Sequence, residues 1–180
     1  MRVIAGKARG VVLKTPDGMK TRPTADRVKE ALFSIIQFDL PGAKVLDLFG
    51  GTGQLGIEAL SRGAKEAVFV DHQEAACKLI KENLRRTKLE EQGRVVRGDY
   101  MQFLENCRDR FDIVILDPPY AEVFLENALK RLSEIDILQS GGIIVAERPV
   151  DKENPGDFEG FCRLKDYKYG NTVLTLYRKD

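Results

Sequence analysis

A chain of 180 residues with 43% hydrophobic and 32% charged side chains carries enough apolar material for one sizeable core, so a single unit spanning 1–180 in the cytoplasm is expected. No apolar run approaches the roughly 18 residues of a membrane span, and the opening MRVIAGKARG lacks the apolar centre of a secretion signal. Cys77, Cys107 and Cys162 are odd in number and have no C-x-x-C spacing, which argues against a disulfide framework and against a metal site; with His72 the only histidine, Ser-His-Asp and Cys-His chemistry is disfavoured.

The net charge of +1 hides an asymmetry: residues 1–44 hold nine Lys/Arg against four Asp/Glu, and residues 45–180 hold twenty against twenty-four. A basic first quarter on a near-neutral body fits a local surface for a polyanion, with a merely solvated face as the plain alternative. Within it, RVIAGKAR and GVVLKTP predict two short strands around a glycine turn. The stretch TRPTADRVKEALFSII predicts a helix with Thr24 as N-cap. Val28, Ala31, Leu32, Ile35 and Ile36 would form its apolar face, and Thr24, Arg27 and Lys29 would lie off that face.

Beyond LPGA, strand and helix patterns alternate: KVLDLF with QLGIEALSRG, EAVFVD with EAACKLIKENLRRTKL, RVVRGD with MQFLENC, then DIVILD with a helix through Leu125–Leu132. Such alternation predicts a parallel α/β sheet. GGIIVAER adds a fifth strand. CRLKDYKY and TVLTLYRK around Gly170-Asn171 read as a hairpin, which makes the last strand antiparallel to the rest.

LDLFGGTGQLGIEAL places Gly51, Gly53 and Gly56 between the first of these strands and its helix, a G-x-G-x-x-G turn in the strand–turn–helix setting where backbone approaches a ligand closely. Asp71 follows Gly51 by twenty residues and ends the next strand, where a carboxylate can accept both hydroxyls of a ribose. Asp47, Asp99 and Asp117 also sit at strand ends, so four carboxylates are expected to face the crevice beyond the carboxyl edge of the sheet. The glycine turn alone fits NAD, FAD or S-adenosylmethionine. Asp117 is followed by Pro118 and Pro119, which end the strand and stiffen the chain immediately after a carboxylate, and then by Tyr120.

D-P-P-Y at residues 117–120, behind an acidic glycine turn, resembles the amino-methyltransferases that use S-adenosylmethionine. RPTADRVKEALF (22–33), DLFGGTGQLGIEALSRGA (47–64) and DPPY together resemble the RsmD-type family, which methylates N2 of a guanine in 16S ribosomal RNA. The central stretch is usually D-L-F-A-G-S-G in that family, and Gly50 and Thr52 are small departures from it. The resemblance implies a Rossmann-like class I methyltransferase fold: a mostly parallel seven-stranded sheet with an antiparallel C-terminal strand, preceded by a basic hairpin and helix over residues 1–40.

It also implies roles. Asp47 and the Gly51–Gly53 turn would lie along the methionine part of S-adenosyl-L-methionine, Asp71 would hold its ribose, and Asp99 its adenine amine. Tyr100 or His72 would flank the adenine, and Phe49 is either a further contact or core. Asp117 and the Pro118 carbonyl would accept the two hydrogens of the target amine, Pro119 would keep them rigid, and Tyr120 would stack on a flipped or unpaired base. Arg2, Lys7, Arg9, Lys14, Arg22, Thr24 and Arg27 would meet phosphates of 16S ribosomal RNA in a small subunit or its precursor, with Arg22 and Thr24 alternatively reaching the cofactor. A monomer is expected. An adenine-N6 methyltransferase would share DPPY, although sequence-reading DNA enzymes usually carry an added domain. A nicotinamide-dependent oxidoreductase would share the glycine turn and Asp71 but gives DPPY no role.

Overall fold

The computed structural model describes residues 1–19, 23–119 and 122–180, and the side chains of all of these except residues 23, 24 and 122. Seven strands form one sheet: β1 (Lys44–Asp47), β2 (Glu66–Asp71), β3 (Gly93–Arg97), β4 (Phe111–Leu116), β5 (Leu138–Pro149), β6 (Phe161–Tyr169) and β7 (Thr172–Lys179), in the spatial order β3-β2-β1-β4-β5-β7-β6. The first five run parallel, and β7 enters antiparallel between β5 and β6. This is a Rossmann-like α/β fold with the antiparallel C-terminal strand that the sequence predicts.

The sheet is buried on both sides because its strands are apolar at successive positions, and the pleat sends neighbours to opposite faces. Val45, Phe69, Ile113 and Ile115 pack with α1 (Pro23–Ile35), α2 (Gln54–Ser61) and α3 (Glu74–Arg86). Leu46, Val70, Val114 and Leu116 pack with α4 (Tyr100–Asn106) and α5 (Glu122–Glu134). Gly56 of α2 lies flat on β2: a Cβ there would stand 2.3 Å from the Phe69 ring. Among the described residues no helix is long and apolar enough to cross a membrane.

Three expectations for the first forty residues need correction. The two predicted strands reduce to one isolated antiparallel bridge, Arg2 with Val12. The segment turns back on itself through Val3 N–H to the Val11 carbonyl (3.0 Å) and Gly10 N–H to the Val3 carbonyl (2.9 Å), but its outer amides go to side chains of α2 and α3. Ile4 and Ala5 donate to the Glu58 carboxylate at 2.9 and 3.0 Å, Ala8 to Ser61 Oγ at 3.0 Å and Lys14 to Asn83 Oδ1 at 2.7 Å. A ladder is unnecessary where side chains satisfy the backbone.

Secondly, α1 begins at Pro23, so Thr24 lies in its first turn and not at the cap; proline is well suited to the first helical position because its missing N–H would have no partner there. Thirdly, Lys29 is buried, not on the solvent side. Its ammonium lies 3.8 Å from the fully buried Glu58 carboxylate and donates to the Arg2 carbonyl at 2.9 Å, while Arg62 Nε donates to Glu58 at 2.9 Å. Burial pulls the Lys29 pKa down and Glu58 works against that.

This cluster is asymmetric. Glu58 without Lys29 keeps Arg62 and two amides, whereas Lys29 without Glu58 is a buried cation with one carbonyl. Glu58→Gln is therefore expected to lower stability by about 3–5 kcal/mol, the cost of leaving a buried charge unpaired. Lys29→Met should cost clearly less. Urea denaturation of both variants checks this, and equal losses would contradict the asymmetry.

Candidate active site

Strand β1 has β2 on one side and β4 on the other, and the chain leaves β1 toward one face of the sheet and β4 toward the other. The connections diverge and open a crevice beyond the carboxyl edge, the usual ligand position in such sheets. Here it is a cleft of about 2100 Å³ whose lining includes Gly51, Asp71, Asp99, Asp117 and Glu147.

The glycine turn forms one wall. Gly50 N–H donates to the Val70 carbonyl and Gly53 N–H to the Gly50 carbonyl, each at 2.8 Å. Gly53, at φ +81°, then starts α2. Asp47 departs from its expected position: it lies under this turn, 1% exposed, accepts from Gly56 N–H at 3.2 Å through Oδ2, and is not part of the cleft lining. Its Oδ1 has no hydrogen-bond partner. Burial is the main reason its pKa rises to about 8, with the charges of Asp117 and Asp71 adding to it.

Asp71 ends β2 with both oxygens engaged: Oδ2 accepts from Gly51 N–H at 3.0 Å and Oδ1 from Gln73 N–H at 2.9 Å. Each oxygen keeps further lone pairs, so the carboxylate is oriented and can still accept from a ligand. Asp99 caps α4, its Oδ1 taking the amides of Met101 (2.9 Å) and Gln102 (3.2 Å). His72 is exposed at the rim, with Nδ1 3.8 Å from Asp71. Tyr100 is packed between Phe49 and Phe124, with ring centroids at 5.1 and 5.5 Å, and all three rings line the cleft. Phe49 thus belongs to the core packing and to the wall at once.

Opposite the glycine turn, β4 ends at Leu116, and Asp117, Pro118 and Pro119 enter the lining. Tyr120 lies outside the described residues. Beside Asp117 is a group that the sequence reading missed. Leu116 pairs with Ala146, so Asp117 and Glu147 are the next residues on two adjacent parallel strands. Their carboxyl groups are hydrogen-bonded to each other, and burial raises the pKa of both. Glu147 directly follows Ala146, the last residue of β5 paired with β4, so the acid just past the paired part of the fifth strand is the signal that finds it.

The basic set is spread more widely. Arg2, Lys7, Arg9, Lys14 and Arg27 are exposed. Lys7 donates to Gln92 at 2.7 Å, and Lys14, which borders the cleft, pairs with Glu82 at 3.1 Å. Arg22 lies outside the described residues, as does the side chain of Thr24.

The crevice suits a cationic nucleoside better than a dinucleotide. A pyrophosphate would need the turn amides, and the Gly51 amide is already held by Asp71. A Cβ on Gly51, at φ +58°, would project into open space, leaving room for a ligand against the backbone. The carboxyl groups that line the cleft, Asp71, Asp99, Asp117 and Glu147 among them, would favour positive charge.

The family model described as conserved hypothetical protein 95 matches residues 1–178. The chain belongs to this family, the RsmD-type proteins. Over 182 residues it is 39% identical to YlbH of Bacillus subtilis (strain 168), named a candidate rRNA methyltransferase, covering 99% of both chains. It is 37% identical to the ribosomal RNA small subunit methyltransferase D of Haemophilus influenzae, covering 99% of this chain and 93% of that one. Among solved structures, yhhF of Escherichia coli, titled as a candidate methyltransferase, superposes with a TM-score of 0.91 at 30% identity, covering 100% of this chain and 98% of the other.

The Asp47 environment sets a stability test. An acid whose pKa is about 8 in the fold and 3.8 when unfolded holds its proton more tightly in the folded state, so its contribution to stability is lost as pH rises from about 4 to about 8. Asp47→Asn should remove that loss and gain on the wild type across this window by at least about 1.4 kcal/mol, the equivalent of one pKa unit. Chemical denaturation at several pH values measures it; parallel pH curves for the two proteins would refute the buried, protonated Asp47.

Proposed function

We propose that this protein transfers a methyl group from S-adenosyl-L-methionine to the exocyclic N2 amine of a guanine in 16S ribosomal RNA. The observation that carries the reading is the arrangement of the cleft: an oriented Asp71 and a glycine turn on one side, and a carboxylate stiffened by two prolines on the other. The family and the names of its relatives support ribosomal RNA as the substrate class.

S-adenosyl-L-methionine, when bound, supplies a methyl group on a positively charged sulfur. Asp71 would hold the ribose hydroxyls and Asp99 the adenine amine, with Phe49, Tyr100 and His72 as the surrounding contacts. Gly51 and Gly53 would lie along the methionine end, with Asp47 beneath them holding the turn through the Gly56 amide. The exocyclic amine of guanine is a weak nucleophile because its lone pair is spread into the ring. Asp117 and the Pro118 carbonyl would accept its two hydrogens and favour a pyramidal nitrogen; Pro119 keeps these acceptors in place. The proton shed after transfer passes to Asp117 or to water. This is catalysis by positioning and fixed dipoles.

Tyr120 would stack on the base. Arg2, Lys7, Arg9, Lys14 and Arg27 would meet phosphates, and Arg22 and Thr24 either phosphates or the cofactor. In this reading the chain works as one unit and as a monomer in the cytoplasm, on a small subunit or its precursor.

Incubation with labelled S-adenosyl-L-methionine and unmodified small-subunit RNA or subunits, followed by digestion to nucleosides, should yield N2-methylguanosine. N6-methyladenosine, or no label, would overturn the reading. Asp117→Ala should abolish transfer while leaving the affinity for S-adenosylhomocysteine intact. Asp71→Ala should weaken that affinity by about 1–3 kcal/mol, the cost of unsatisfied partners in the cleft. Calorimetry separates the two effects.

A further inference from the structure

Glu147 has no part in the scheme above, yet it stands next to Asp117 in the fold. It follows Ala146, the register partner of Leu116, and so stands beside Asp117 at the carboxyl edge of the sheet. Both residues line the same cleft, and their carboxyl groups are joined by a hydrogen bond. Such a bond requires one proton between them. Burial disfavours charge on both, and the negative charge of Asp117 disfavours ionisation of Glu147 further, which favours Glu147 as the donor.

We propose that Glu147 is a positioning residue: as hydrogen-bond donor to Asp117, it holds that carboxylate in one orientation toward the target amine. The inference rests on the role given to Asp117 above. An ionised Asp117 with one lone pair occupied by Glu147 keeps acceptor capacity on the other oxygen and cannot rotate freely. Removal of the shared proton would set two carboxylates side by side and drive them apart; addition of a second would neutralise Asp117 and remove its preference for N–H donors. Turnover should therefore fall at both acidic and alkaline pH, as properties of the pair and not of either residue alone.

Other groups surround the pair. Asp47 on β1 feels the charge of Asp117. Lys29 on α1 and Glu126 on α5 border the cleft, as do Asp151, Lys152 and Glu153 after β5. On β7, Leu174 lies opposite Glu147. Arg148 is directed to the Lys152 carbonyl at 2.8 Å and to Asp166 on β6 at 3.3 Å. Asp47 is the neighbour whose titration overlaps that of the pair, and the test must separate it.

The test compares kcat and KM for methyl transfer to small-subunit RNA in wild type, Glu147→Gln and Glu147→Ala across acidic to alkaline pH. Glu147→Gln keeps an N–H to donate, so it should sustain turnover near neutrality and lose the alkaline fall. Glu147→Ala should lower kcat about a hundredfold, the effect of misplacing a reacting group by about 1 Å, with KM and S-adenosylhomocysteine affinity unchanged. An alkaline fall that persists in Glu147→Gln, a Gln variant as slow as the Ala variant, or a loss confined to KM would each overturn the inference. The product nucleoside of the wild type reports separately on the reading it rests on. The pairing is also read without activity, by isotope-edited NMR of the Glu147 carboxyl carbon: its titration should move to lower pH in Asp117→Ala, and an unmoved titration would overturn the inference equally.

Discussion

The position of β1 between two parallel neighbours governs the rest of the molecule. Asp47, the end of β1, is in register with Phe69 on β2 and with Ile115 on β4, so the three strands end within two residues of one another. With α2 on one face and α5 on the other, the chain cannot close over the gap between them. Asp71, Asp117 and Glu147 face that space, and Asp47 lies just beneath it. Burial against the sheet core raises the pKa of Asp47, Asp117 and Glu147, and the charge of Asp117 adds to it at Asp47 and Glu147.

A second layer of order comes from buried polar side chains that receive backbone groups. Asn83, fully buried on α3, accepts from the Lys14 amide and donates both to the Lys14 carbonyl (3.0 Å) and to the Thr52 carbonyl (2.9 Å). One amide group thus joins the basic segment, the helix and the glycine turn. Glu58 does the same between α1, α2 and residues 4–5. The cleft wall is held by contacts outside the cleft, so its shape depends on residues with no chemical role.

The repeated strand-then-helix pattern was readable because each strand is a short apolar run and each helix has a polar outer face. The C-terminal hairpin was readable from Gly170-Asn171. Local pattern could not reveal that Lys29 is buried, since a lysine in an amphipathic helix reads as solvent-facing until its partner, Glu58, is brought to it from a different helix. The same holds for the first strands: RVIAGKAR has strand composition, but its hydrogen bonds go to α2. At the site, Asp71, Asp99 and Asp117 were found by their place at strand ends. Asp47 obeys the rule in sequence and departs from it in space, because the Gly56 amide draws it under the turn. Glu147 escapes the rule because β5 continues through Arg148 and Pro149 to pair with β7, which hides the end of its pairing with β4.

The way residues 4–14 are seated bears on the order in which the molecule assembles. Their partners Glu58, Ser61, Asn83 and Gln92 lie between 53 and 85 residues further along the chain. Closing loops of that length costs entropy that only the finished contacts return, and contacts of high sequence separation slow folding. During synthesis this stretch leaves the ribosome ahead of these partners, and the amides of Ile4, Ala5, Ala8 and Lys14 stay with water until α2 and α3 have formed. A stretch made before its partners is thus among the last to find its place, and the glycine turn, tied to it through Asn83, reaches its final form no sooner.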